Sequence, residues 1–96
     1  SQEAVEARAL DREIRFNVGG ARLENVTGFL RAMARVKIAL DADELKAAGV
    51  GKDTIVPLEA DGRLTLRSWL NLSLAPLGLT YVPGDRGLKV VRKASD

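Results

Sequence analysis

The stretch 66–81, LRSWLNLSLAPLGLTY, constrains this chain most, because its apolar period changes partway along. Leu66, Trp69, Leu70, Leu74 and Leu77 recur at helical spacing and fall on one arc of an α-helix. Gly78 then stops the helix, so that Leu79 and Tyr81 can alternate as a strand. Thr65 stands where an N-cap belongs, since its hydroxyl can accept from a free amide of the first turn. An earlier copy lies 43 positions upstream, where Leu23, Val26, Val36 and Ile38 occupy the places of Leu66, Trp69, Leu79 and Tyr81. The chain reads as one motif used twice.

The rest of the sequence fits around these two copies. Residues 1–12, SQEAVEARALDR, are charged and Ala-rich with a thin stripe of Val5, Ala9 and Leu10, and residues 1–13 read as a linker or N-terminal arm. Their acidic residues balance Arg8 and Arg12, which argues against a basic arm for nucleic acid. The opening Ser1-Gln2-Glu3 reads as the start of an excised domain. Ile14, Phe16 and Val18 alternate with polar residues as a half-buried strand that Gly19-Gly20 ends. A first helix is predicted over 22–35, with Leu23, Val26, Thr27, Leu30 and Ala34 on its inner arc. Phe29 and Met33 widen that arc, as Leu72 does at the matching place in the second helix, so each helix is expected to be covered by a sheet and by its sister. Val36, Ile38 and Leu40 mark a second strand, and residues 41–49 form a short helix with an Asp cap and a Gly stop.

A third strand is predicted over 55–60, where Val56, Leu58 and Ala60 match Ile14, Phe16 and Val18 at an offset of 42. Pro57 cannot donate to a ladder, so this strand should be an edge, and Asp61-Gly62 should turn the chain toward the second helix. Strand four covers 79–82, and the turn formers of 83–87 return the chain into 88–92 as a hairpin. The order β-α-β-β-α-β-β, two βαβ-like halves, predicts two helices packed together against β-sheet in one α+β or α/β domain over 14–92. Residues 93–96 form a polar tail.

Composition removes most chemistry. The 96 residues contain no cysteine, so stability must come from packing of the 46% hydrophobic fraction without staples. There is no histidine, which removes the commonest general base, the commonest metal ligand and every imidazole triad. An enzyme would have to use carboxylates, serine, tyrosine or a lysine such as Lys52, and the chain is read as non-catalytic, with no cofactor, no metal and no small-molecule substrate. Fifteen basic and thirteen acidic residues give a net charge of +2 and a pI of 9.3, with the signs interspersed rather than blocked. No apolar run approaches the roughly 18 residues needed to span a bilayer.

Each short motif has a plainer account. Residues 48–54, AGVGKDT, lack the first glycine of a phosphate loop and carry Asp53 where the hydroxyl should follow Gly51-Lys52, so they read as a flexible loop. Gly19-Gly20-Ala21-Arg22, between strand and helix, offers amides that could hold an anion, against the simpler role of a sharp turn. Asp41, Asp43 and Glu44 read as helix capping rather than a cation site, and Glu59 with Asp61 lacks any sign of a cleft. Trp69, Tyr81, Phe16 and Phe29 fall at core positions, not on a stacking platform. Arg63, Arg67, Arg86, Lys89, Arg92 and Lys93 enrich the second half in positive charge, most simply as solvated faces.

The second motif, TLRSWLNLSLAPLGLTYV, together with VKIALD after the first helix and a final LKVV strand, resembles the short N-terminal domain shared by bacterial secretins and TonB-dependent signalling receptors. The inserted DADELKAAGV is similar to copies in large bacterial envelope proteins. The resemblance spans residues 14–91. It implies an α+β fold with two helices packed side by side between a two-stranded and a three-stranded sheet. It also implies a non-catalytic protein-protein interaction module of the periplasm or cell envelope. On this reading a protein partner pairs with an exposed strand edge, expected at the last strand with Lys89, Val91 and Arg92 outward. Homo-oligomerisation through such edges is open to it. The alternative reading is a small basic nucleic-acid-binding domain, resting on the pI.

Overall fold

Ile14, Phe16 and Val18 do form a strand, and the fold grows from how that strand is paired. The computed structural model describes residues 2–94, so Ser1 and the Ser95-Asp96 end of the polar tail lie outside the described residues. In chain order the elements are α1 (Gln2–Leu10), β1 (Glu13–Gly19), α2 (Leu23–Ala34), β2 (Lys37–Leu40), α3 (Ala42–Ala47), β3 (Glu59–Thr65), α4 (Leu66–Leu74), β4 (Leu79–Gly84) and β5 (Gly87–Arg92). A 3₁₀ turn, Ala75–Leu77, prolongs α4. Strands β1 and β3 pair antiparallel as a two-stranded sheet, and a three-stranded sheet runs β2-β5-β4. Helix α2 touches β1 and β2, α4 touches β3 and β4, and the two helices touch each other. The α+β arrangement of paired helices between a two-stranded and a three-stranded sheet is therefore as expected.

The inner arc of α2 is the one the periodicity gives, and that of α4 differs from it in gaining Ser73 and in leaving Leu77 only partly buried. Leu23, Val26, Thr27, Leu30 and Ala34 are the buried residues of α2, and Leu66, Trp69, Leu70, Ser73 and Leu74 those of α4. Trp69 is fully buried, and its indole N–H donates to the Ile14 carbonyl at 2.8 Å, pinning α4 to β1. Phe16 meets the same indole edge-on at 5.3 Å and stacks on Phe29 at 4.3 Å. The Thr65 hydroxyl accepts from the Ser68 amide as the N-cap of α4, and the Asp41 carboxylate accepts from the amides of Asp43 and Glu44 at the start of α3. Gly78 adopts a left-handed φ of 72° where the helical run gives way to β4, a conformation that costs glycine nothing. Pro76, which cannot continue the backbone bonding, explains why α4 proper ends at Leu74 instead of reaching Leu77.

Four expectations need correcting. The third strand is β3 over Glu59–Thr65, displaced from 55–60, and Asp61-Gly62 lies inside it, opposite Asn17 and Phe16. The antiparallel register with β1 sets these limits, because β1 can pair seven residues there, whereas Pro57 would leave a gap in a ladder at 55–60. Pro57 is accordingly in no strand; only Ile55 makes an isolated bridge, to Arg22, while Val56 is fully buried. Next, residues 2–10 form a helix that does more than link: α1 packs against α4 and β5, and Ala9, at 4% exposure, belongs to the core. The helix arcs are narrower than their apolar residues, for Phe29, Met33 and Leu72 remain exposed at 37%, 47% and 43%. Finally, β5 is the centre of its sheet and not an edge.

Candidate interaction surfaces

A strand can recruit a partner strand only where its own ladder groups are free, so sheet order decides which surfaces can act in that way. The last strand, β5, is bonded on both sides, parallel to β2 and antiparallel to β4. Lys89, Val91 and Arg92 therefore lie in a central strand, and none of them offers an edge. The Lys89 ammonium is 3.1 Å from Asp41, Val91 is half-buried, and the Arg92 amide donates to a Glu44 carboxylate oxygen at 3.1 Å. That last bond carries the hydrogen bonding of β5 onto α3 beyond Leu40, the last residue of β2. The Glu44 amide, and after it Lys89, hold the Asp41 carboxyl below its ordinary pKa.

The open edges are those of β2, β4 and the two strands of the smaller sheet. Strand β2 has only four residues, begins at Lys37 and runs into α3, which makes it a guarded edge. Strands β1 and β3 carry Glu13, Arg15, Glu59, Asp61 and Arg63 outward, with Arg15 and Asp61 3.7 Å apart. Strand β4 differs: its first four residues, LTYV, are uncharged and rich in strand-forming types. The Lys93 amide donates to the Gly78 carbonyl at 2.8 Å, which marks that pair as hydrogen-bonded. Antiparallel alternation then gives Thr80–Val91 and Val82–Lys89 the same character. The main-chain groups of Leu79, Tyr81 and Pro83 consequently face the open side. Pro83 places its missing N–H there, as an edge strand requires. Val82 is 37% exposed and the Tyr81 ring half-buried, beside Arg67.

The other sequence candidates find structural roles. At the Gly19–Arg22 turn, the first amides of α2 are already taken: Leu23 donates to Thr54 and Glu24 to Lys52, both at 2.8 Å. An anion there would compete with two backbone bonds, so the loop 52–54 caps the helix in its place. Within 48–54, the Gly51 amide donates to the Thr54 hydroxyl and the Thr54 amide to the Gly51 carbonyl, which closes a local turn. The Asp41 carboxylate is occupied by the amides of Asp43 and Glu44 and by Lys89, and the Glu44 carboxylate accepts from the Arg92 amide, while Asp43 contributes its backbone amide to the cap. No group of three or more acidic residues among the described residues is placed to hold a metal ion. No helix among the described residues is long and apolar enough to cross a membrane.

The sequence signal for the β4 edge was present but pointed to the wrong strand. LTYV alternates well enough to be a strand, and Pro83 directly after it is the mark of an edge, whereas Pro57 lies in no ladder and marks none. Comparison with known protein families, with curated proteins and with solved structures gives no match.

Proposed function

We propose that this chain is a non-catalytic protein-interaction module whose partner adds a strand to the open edge of β4. One observation carries the reading: the alternation of the β4–β5 ladder leaves the Tyr81 N–H and C=O and the Leu79 and Pro83 carbonyls directed outward along an uncharged, strand-forming segment. Each added backbone bond contributes on the order of 1 kcal/mol net, so a short run of them needs side-chain contacts to become specific. Val82 and the exposed part of the Tyr81 ring supply such contacts. The likeness of the second motif and the final strand to the short N-terminal domain of secretins and TonB-dependent signalling receptors supports a protein partner in the bacterial cell envelope, on its periplasmic side. A second copy of the chain, paired edge to edge, is a partner of the same kind.

The test is selection of extended peptides on the folded domain, with Tyr81→Pro and Tyr81→Phe as comparators. Tyr81→Pro removes the outward amide and leaves the β4–β5 bonds in place. Peptides that bind the wild type and Tyr81→Phe, lose binding to Tyr81→Pro, and protect the Tyr81 amide from hydrogen exchange are the expected result. Peptides that bind all three equally would move the interaction away from this edge.

A further inference from the structure

Three arginines from two separate parts of the chain converge on one pocket. Val5, Arg8 and Ala9 of α1, Arg12 just beyond it, and Ala34 and Arg35 at the end of α2 line a concavity of about 200 Å³. Val5, Arg8 and Ala9 share one face of α1 by their spacing and Arg12 follows just past its end, with Ala9 and Ala34 buried as the pocket floor. The backbones at the rim are fixed. The Arg12 amide donates to Ala9 and its carbonyl accepts from Leu66, while the Arg35 amide donates to Arg31.

None of the three guanidiniums has a carboxylate within ion-pair distance among the described residues, where the basic partners of the ion pairs are Arg15, Arg67 and Lys89. Of the acids nearest in sequence, Asp11 is bound to Arg67 at 3.1 Å, Glu6 is buried at 5% exposure, and Glu13 stands exposed at the start of β1 without an ion pair to Arg12 among the described residues. The C-terminal ends of α1 and α2 do attract positive charge, but each is equivalent to only about half a negative charge. Two helix ends therefore offset about one of the three positive charges. Arg35 adds an independent sign, because it holds a left-handed φ of 56° at the helix C-cap, where glycine would be unstrained.

We infer that this pocket is a binding site for the carboxylates of an acidic peptide segment. Guanidinium forks match carboxylates in bidentate geometry, and the floor of Ala9 and Ala34, with the exposed Val5 at the rim, suits the aliphatic stems and apolar neighbours of acidic side chains. A bare phosphate would leave that floor unused. The volume is also below the range typical of small-molecule sites. The inference rests on the interaction-module reading only in taking the ligand to be protein, and it does not depend on the β4 edge.

The experiment is fluorescence anisotropy of a short labelled peptide that mixes Asp and Glu with Leu and Val, against the same peptide carrying Asn and Gln. Competitors are inorganic phosphate, anionic phosphatidylglycerol vesicles and a single-stranded oligonucleotide. Wild-type domain should bind the acidic peptide and not its amide counterpart, with affinity falling as salt rises. Arg8→Gln, Arg12→Gln and Arg35→Gly should each weaken binding about tenfold. Arg35→Gly should do so with a melting temperature equal to or above wild type, which separates lost binding from lost folding. Tyr81→Pro should bind the peptide normally. Equal affinity in the arginine variants overturns the site, whether or not the edge reading survives. Stronger binding of phosphate, vesicles or oligonucleotide than of the peptide overturns the ligand class.

Discussion

Ser73 is the residue whose chemistry least fits its surroundings. Its side chain is fully buried on α4, and its hydroxyl has no hydrogen-bond partner among the described residues. Thr27, buried on α2, avoids that cost by donating to the Leu23 carbonyl one turn earlier. Replacing Ser73 by alanine removes an unsatisfied polar group and improves helix propensity, so chemical denaturation should show a gain of about 1 kcal/mol. In a domain of this size that is a rise of roughly 4–8 °C in melting temperature. A loss of stability would mean that the hydroxyl does have a partner. At this scale the sequence was most legible. Thr65 and Asp41 cap helices as their types and positions indicate, because capping depends on amides one to three residues away. Trp69 was legible as a core residue, yet its bond to the Ile14 carbonyl was not, since that partner lies 55 residues distant.

Among the elements, β5 makes the sharpest prediction. Proline at Val91 removes an amide that the 80–91 pair uses within a central strand, so Val91→Pro should unfold the domain, read as loss of the cooperative thermal transition. Tyr81→Pro, on the edge strand, should keep that transition. A folded Val91→Pro would contradict the sheet order. The misplaced third strand shows why elements are harder to read than residues. Asp61-Gly62 has the composition of a turn, but local turn preference is outweighed when seven residues from Glu59 to Thr65 find partners on β1. The alternation of Glu59, Asp61 and Arg63 with smaller residues was visible in the sequence and is the better guide. Phe29, Met33 and Leu72 erred in the opposite sense: helical spacing placed them beside the inner arc, and the width of the neighbouring layer leaves them outside it.

For the molecule as a whole, α1 joins what the sequence divided. Its Ala9 closes the core beside α4 and β5, Asp11 pairs with Arg67, and the Arg12 carbonyl accepts the Leu66 amide. Deleting residues 1–10 should therefore lower the melting temperature and remove the arginine pocket, while circular dichroism keeps the signature of the remaining α+β core; an unchanged melting temperature would restore the view of this segment as an arm. The duplicated motif, the caps, the hairpin and the centre of each helix arc were determined by the sequence alone, because each is set by contacts within a few residues and by a side-chain period that reports one buried face. Only the tertiary structure decided that β5 runs between β2 and β4, and that distant arginines share a pocket. Sheet order depends on which backbone edges meet, and side-chain period carries no record of that. The parallel β2–β5 pairing even requires Gly87, where a Cβ would stand 2.4 Å from the Lys37 carbonyl oxygen, and nothing near residue 87 in the sequence names the strand that comes so close.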